Sequence, residues 1–267
     1  MLSDEVRIFV NTPKNENVIL KPLGDLHVGS KLFNEKAFLG WLADIKPTDK
    51  IILLGDMIDN GVISGKLGHT IYDQAMMPSA QKNYICEKLE PYASQIIAAT
   101  SGNHEKRNKL TDEDPLYTIL CRLRCEQVYR PNACHVTIRV AGGKDGKKEA
   151  GKYRPSYNIL VTHGAGGGTT AGASVNRAER FLMGYENVDL LITAHTHRPQ
   201  HFTIDKVMYD KSNPNLIEKT VHGVIVTSFL NYGGYAMEKM YPPVGKMLKQ
   251  EITLTSYEKH IWVNGGA

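Results

Sequence analysis

Five groups of polar residues follow one another along this chain, each after an apolar run: Asp25-Leu-His27, Gly55-Asp56-Met-Ile-Asp59, Gly102-Asn103-His104-Glu105, His163-Gly164 and His195-Thr-His197. Carboxylate, amide and imidazole donors in this mixture suit manganese, iron or zinc. Each group has a duller explanation when taken alone. Asp-x-His arises by chance, Gly-Asp is commonly a turn, Asn-His can cap a helix, and a His pair two residues apart is common on surface strands. Their joint order is what removes those explanations, because together they supply nearly all the ligands for two neighbouring cations. Such a pair polarises phosphoryl oxygens and shares a hydroxide poised for in-line attack on phosphorus. The expected chemistry is therefore metal-assisted hydrolysis of a phosphate ester. Asp56 is the natural shared ligand, being central in the order and preceded by a glycine that permits a tight turn.

The elements that must carry these groups can be read from periodicity. Asn17–Leu23 is a short β-rich run, Ile51–Leu54 a buried strand and Gln95–Thr100 a third, each delivering a polar group at its end. Residues 34–45 show helical spacing of Phe38, Leu39 and Leu42, with Asn34 as N-cap. Residues 79–92 form a second helix, and Asp114-Pro115 opens another with the acid as cap and the proline in the first turn. Between them 61–78 reads as a long loop or lid. The second half begins with a hairpin, Cys134–Val140 and Tyr157–Thr162, around a basic tip at 142–151. A helix over Val175–Met183 and a strand at Leu190–Thr193 follow, then strands at Gln200–Asp205, Val221–Leu230 and Glu251–Val263. Strand–helix alternation with a β-rich finish predicts an α/β protein of sheets flanked by helices. Ligands just past strand C-termini lie where open α/β sheets gather their sites. Residues 1–267 are expected to form one domain, with 200–267 completing the second sheet.

Composition bounds the rest. The chain has 267 residues, 42% apolar and 22% charged, and a formal net charge of +4, ordinary for a soluble protein and permissive of a polyanionic partner. No apolar run approaches the roughly 18 residues that span a bilayer, and the first residues do not read as a secretory signal. A cytoplasmic protein without a membrane partner is expected, its oligomeric state left open. Cys86, Cys121, Cys125 and Cys134 complete no zinc pattern, so free thiols in a reducing compartment are expected. Outside the five groups, His69, His135, His201, His222 and His260 have no ligand-like context; His69 is the one placed to meet substrate.

The motif order resembles the calcineurin-like metallophosphoesterase superfamily, whose members share D-x-H, G-D-x-x-D, G-N-H-[DE], an isolated His and G-H-x-H. The resemblance runs from Asp25 to His197 and leaves about a quarter of the chain, the C-terminal strands, outside the motifs. It implies a four-layer α/β sandwich, two mixed sheets flanked by helices, with the site at one end. Carried over by motif, Asp25, His27 and His197 would hold one ion, Asn103, His163 and His195 the other, and Asp56 would bridge them; manganese is expected first. The resemblance also implies that His104 is no ligand but faces the leaving group, oriented by Asp59, and an imidazolium so aligned can act as general acid. Ala194 stands where the family has Gly, and Glu105 where Asp is commoner.

For the substrate the signals divide. Asn60 follows the second acid where the Ser/Thr protein phosphatases carry an Arg, which speaks against that branch. The opening Gly24-Asp25-Leu-His27-Val-Gly29 is similar to the repair-nuclease branch, although that branch usually lacks the second acid. Arg107, Arg177 and Arg198 stand next to motifs and could track a polyanion. A phosphodiesterase acting on nucleic acid, DNA or RNA, is the first expectation. A phosphomonoesterase acting on a protein or small metabolite is the second. A non-catalytic binding scaffold is the third, and every filled ligand position weighs against it. The run Gly164–Gly168 lacks the Lys-Ser/Thr of a P-loop and reads as a flexible edge.

Overall fold

The fold was established from a computed structural model, which describes residues 5–12, 16–61, 74–110, 113–142, 155–167, 170–209, 215–238, 240–243, 247–256 and 258–265. The described residues include eleven strands, which form two mixed sheets. In chain order they are β1 (Glu5–Thr12), β2 (Val18–Leu23), β3 (Lys50–Leu53), β4 (Ile96–Ala99), β5 (Ala133–Gly142) and β6 (Ser156–Thr162), then β7 (Leu190–Thr193), β8 (Gln200–Tyr209), β9 (Leu216–Ile225), β10 (Glu251–Leu254) and β11 (Ile261–Asn264). One sheet has the order β1-β5-β6-β7-β9-β8 and the other β11-β10-β2-β3-β4. The helices are α1 (Glu35–Ala43), α2 (Pro78–Leu89), α3 (Pro115–Arg122), α4 (Ala171–Met183) and the short α5 (Gly234–Glu238).

Side-chain alternation builds the layers. Leu20, Ile52, Leu54 and Ala98 of one sheet meet Val136, Ile138, Ile159, Val161 and Ile192 of the other in a shared core. Their neighbours Leu23, Ile51, Leu53, Ile96 and Ala99 point the opposite way, on to α1, α2 and α3. On the far side Leu160, Leu191 and Val221 pack against Ala178 and Leu182 of α4. The result is helix, sheet, sheet, helix: the expected four layers, each strand near the centre buried on both faces.

Local chemistry explains the helices. Asn34 accepts a hydrogen bond from Ala37 N at 3.0 Å, and Asp114 accepts from Leu116 N and Tyr117 N, both at 3.1 Å, so both expected caps are in place. On α1 the buried stripe is Phe38, Trp41 and Leu42, while Leu39 is exposed; Trp41, three residues on from Phe38, has the better claim to the face. Strand boundaries depart from the sequence reading at four places, the simplest being β8, which runs on from Asp205 to Tyr209. β1, unforeseen, pairs parallel with β5. The run 221–230 begins its pairing earlier, at Leu216, and leaves the sheet after Ile225 to cross towards Asp25, with Phe229 N donating to Asp25 O at 3.0 Å. The stretch 251–263 is a hairpin of two short strands, β10 and β11, rather than one strand. The strands of 200–267 therefore divide, β8 and β9 in the six-stranded sheet and β10 and β11 in the five-stranded one. The hairpin tip at 143–154, most of the expected lid (62–73, with His69) and Gly168 lie outside the described residues. Cys86, Cys121, Cys125 and Cys134 are free thiols. Among the described residues no helix is long and apolar enough to cross a membrane.

Candidate metal centre

The strands β2, β3 and β4 run parallel in one sheet and β6 and β7 run parallel in the other. All five release their chains at a common edge, where the five polar groups meet. Asp25 and His27 follow β2, Asp56 and Asp59 follow β3, Asn103 and His104 follow β4, His163 ends β6, and His195 and His197 follow β7. Two of the turns interlock. Gly55 has φ +83°, and a Cβ on it would collide with the backbone of Gly102, while a Cβ on Gly102 would collide with the Asp56 carboxylate. Only bare backbone lets the β3 and β4 turns touch there.

Two constellations share Asp56. In the first, His27 Nε2 lies 3.3 Å from His197 Nε2, and Asp25 Oδ1 is 3.5 Å from His197 Nε2 and 3.9 Å from His27 Nε2. In the second, His163 Nε2 lies 3.2 Å from His195 Nδ1, 3.1 Å from Asn103 Oδ1 and 3.4 Å from Asp56 Oδ2. The same Asp56 Oδ2 is 3.8 Å from His27 Nε2. Ligand atoms bound 2.0–2.2 Å from one ion are about 3–3.6 Å apart at tetrahedral or octahedral angles, so most of these separations are those of a ligand shell. The donor chemistry fits as well. Asp25 Oδ1 is buried without a hydrogen-bond partner, an expensive state for a carboxylate that faces nothing positive. His163 donates from Nδ1 to Leu54 O at 2.6 Å, which leaves its Nε2 lone pair facing the cluster. Asp25, His27 and His197, and separately Asp56, His163 and His195, could each hold an ion, and His27, Asp56 and His104 form a third close group.

The backbone and the field around these groups are unusual. Nine non-glycine residues have positive φ among the described residues, and six of them are Asp25, His27, Asp56, Asn60, His195 and His197. A left-handed residue costs on the order of 1 kcal/mol or more, and such strain gathers where side chains must be aimed. Burial would raise the pKa of Asp56, but the imidazoles of His104, His163 and His27 outweigh it and hold the carboxyl well below its ordinary range. Burial likewise works against charge on His163, yet the Asp56 and Asp25 carboxylates push it up to about 9. A field that draws protons on to a buried imidazole draws cations generally.

His104 stands at the rim of both constellations. Its Nδ1 donates to Asp59 O at 2.7 Å and lies 3.3 Å from Asp59 Oδ1, its backbone N–H donates to Asp56 Oδ1 at 2.8 Å, and its Nε2 is 4.0 Å from Asp56 Oδ2. Arg107 reaches back over it, with Nη1 donating to Asp59 O and Nη2 to His104 Nε2, both at 2.8 Å. Arg177 turns elsewhere: it donates to Ala165 O at 2.7 Å and to Gly167 O at 3.4 Å, bracing the turn after His163. Arg198 follows His197 and is half-buried. Asn60 is buried; its side-chain amide donates to His104 O at 2.7 Å.

Residues without an assigned role in the sequence reading hold this arrangement. Glu105, fully buried, accepts from three backbone N–H groups: Asp56 at 2.8 Å, Met57 at 2.7 Å and Gly102 at 2.9 Å. It pins the bridging position from behind. Ser228 donates from Oγ to Asp25 O at 3.0 Å, tying the crossing after β9 to the first turn. Glu105 was visible only as a motif variant, and nothing local marked Ser228.

A family model described as calcineurin-like phosphoesterase matches residues 23–199, a span that includes every group above. The chain belongs to that family. Its members are metal-dependent hydrolases of phosphoester bonds and use two divalent ions, so this chain is a metallophosphoesterase. No curated protein matches its sequence. Similar solved structures include a metallophosphoesterase from Sphaerobacter thermophilus, 14% identical over 91% of this chain and 88% of that one with a TM-score of 0.40. A protein serine/threonine phosphatase from Saccharomyces cerevisiae is 11% identical over 97% and 84%, with a TM-score of 0.35. At such scores neither adds to what the family match shows.

Proposed function

We propose that this metallophosphoesterase is a phosphodiesterase and that its substrate is nucleic acid. The reading takes residues 1–267 as one domain, since strands from both ends of the chain enter the two sheets, and places it in the cytoplasm. Asp25, His27 and His197 would hold one ion, Asn103, His163 and His195 the other, with Asp56 between them and manganese the preferred metal. When bound, the ions supply Lewis acidity to the phosphoryl oxygens and activate a water for in-line displacement. The chain's own residues do the rest. Asp59 holds His104 by Nδ1, which aims Nε2 outward as the group that can protonate a departing alkoxide. Arg107 now donates to that Nε2, so an incoming phosphate would draw the guanidinium to its own oxygens and free the imidazole.

The observation that carries the diester reading is the pair Asn60 and Arg107. A monoester brings nearly one more negative charge than a diester, and fixed cations beside the metals grip it. Asn60, after the second acid, is neutral and committed to His104 O, which leaves Arg107 as the guanidinium hydrogen-bonded into the cluster among the described residues. Arg198 beside His197 and Arg177 beyond the Gly164 turn would meet neighbouring phosphates of a polymer. The alternative, a phosphomonoesterase, is favoured by one observation, the intact Asp59–His104 pair, which can serve either ester. Bis(p-nitrophenyl) phosphate and labelled single- and double-stranded DNA and RNA, assayed with manganese beside p-nitrophenyl phosphate and phosphopeptides, separate the two. Turnover of diesters and polymer supports the proposal; turnover of monoesters alone overturns it.

A further inference from the structure

One buried residue near the site has no role in the reading above. Gln81, in the first turn of α2, is fully buried. It shares the inner face of that helix with Ile85 and Leu89, where an apolar side chain would normally serve. A buried carboxamide is costly unless both its ends are bonded, and here they are. Gln81 Oε1 accepts from Asn60 N at 2.9 Å, and its Nε2 donates to Met76 O at 2.8 Å and to Gln74 Oε1. Gln74 then uses its own amide twice: Oε1 also accepts from Gly61 N at 3.2 Å, and Nε2 donates to Asp59 Oδ2. The other oxygen of that carboxylate, Oδ1, faces His104 Nδ1 at 3.3 Å and His27 Nδ1 at 3.5 Å. With Oδ2 held by Gln74, the carboxylate plane is fixed, and Oδ1 can only point at the two imidazoles.

The opening motif makes room for this. Gly29 has φ +99°, and a Cβ there would strike the Gln81 carboxamide. Ala75 N donates to Gly29 O at 2.6 Å, so the same glycine also seats the chain next to Gln74. The glycine that closes Gly24-Asp25-Leu-His27-Val-Gly29 thus serves the glutamine pair as well as the turn.

We propose that Gln81, acting through Gln74, is a positioning residue that sets the Asp59 carboxylate and by it the aim of His104. This rests on the site reading above, in which His104 serves the leaving group. The path runs by hydrogen bonds from Gln81 to Gln74 to the Asp59 carboxylate, and from there by the 3.3 Å contact of Oδ1 with His104 Nδ1, and a path of that kind makes its members non-additive.

The test is a double-mutant cycle on the manganese-loaded protein with aryl phosphodiesters of graded leaving-group pKa. Gln74→Leu is expected to lower kcat by about tenfold, the lower end for losing an outer partner, with KM changed less than about twofold. The loss should be larger for poor leaving groups, while metal content by elemental analysis stays the same. In an Asp59→Asn background the same substitution should change kcat by less than about twofold. Gln81→Met should act in the same direction as Gln74→Leu; should Gln81→Met fail to fold, the half-buried Gln74 still decides the matter. An unchanged kcat in Gln74→Leu, or the same loss with and without Asp59, overturns the proposal. Failure of the underlying site reading looks different: the wild-type protein would then bind no metal or hydrolyse neither diesters nor monoesters.

Discussion

The two sheets contribute to the centre in different ways. The turns after β2, β3 and β4 bring every carboxylate, and they are stitched together before any metal arrives: Glu105 gathers three backbone N–H groups, Asn60 and the glutamine pair hold the next turn, and Gly55 and Gly102 interlock. The turns after β6 and β7 bring only imidazoles. They lean on the first half, since His163 donates to Leu54 O and His195 N donates to Asp25 Oδ2 at 2.7 Å. One half is a prefolded negative cradle, and the other closes over it with imidazoles alone. Like-charged carboxylates must be held against their mutual repulsion, whereas imidazoles are drawn to those carboxylates and can be left to dock. The support therefore sits where the charge is.

That division can be broken most severely at the shared residue. Asp56→Asn should abolish binding of both ions and lower kcat/KM by at least about 10³-fold, the scale of removing a principal group in a metal-assisted displacement. Elemental analysis that still finds two ions per chain would contradict its bridging role. His104→Ala should keep both ions and lower kcat by about 10²–10⁴-fold, most for poor leaving groups; loss of metal instead would make His104 a ligand. Glu105→Ala separates the two halves more finely. It strands three buried N–H donors at about 1–3 kcal/mol each, so the melting temperature should fall steeply and metal affinity with it. His195→Ala, on the docking side, should lose one ion with little change in the metal-free melting curve. Equal thermal costs for the two variants would sink the idea that support follows charge.

The same asymmetry explains what could be read from the sequence. The residues of the two constellations stood out because each is a donor at the end of an apolar run, a pattern set by strand periodicity and turn chemistry alone. Sheets flanked by helices followed from strand–helix order with buried runs such as Ile51–Leu54 and Leu190–Thr193, the four layers from the family resemblance, and the caps Asn34 and Asp114 from the residues themselves. What stayed hidden depends on partners far along the chain. Gln81 reads as an ordinary polar residue in a helix, because its burial is decided by Gly29 and Gln74. Ser228 acts through a crossing whose direction is fixed only when β9 pairs with β7. β1 is an edge strand whose neighbour, β5, lies more than a hundred residues on, and 251–263 breaks into a hairpin because Tyr157 OH, deep between the sheets, donates to Thr255 O at 2.8 Å and accepts from His260 N at 3.2 Å. Arg177 on α4 donates to the Ala165 and Gly167 carbonyls of the turn after β6, ten and more residues back, a brace its sequence neighbours do not signal.

The smallest expected effect tests the seam between the halves. Ser228 and Phe229 both donate to Asp25 O, at 3.0 Å each, so the crossing after β9 grips the first carboxylate turn by its carbonyl, while His195 N holds the Asp25 carboxylate. Ser228→Ala removes one of two donors to a carbonyl that keeps the other, and the lost hydroxyl leaves no buried charge behind. The same hydroxyl accepts from Leu230 N at 3.2 Å, so the cost should be that of two neutral hydrogen bonds, about 1–3 kcal/mol in denaturant unfolding of the metal-free protein. Both ions should still bind, and kcat should change less than about threefold. If the docking side is as passive as the hydrogen bonds indicate, its loosening is felt in stability and hardly in chemistry. A variant that instead released the ion held by Asp25, His27 and His197 would show that the second half also shapes the cradle, and the division drawn between the sheets would fail.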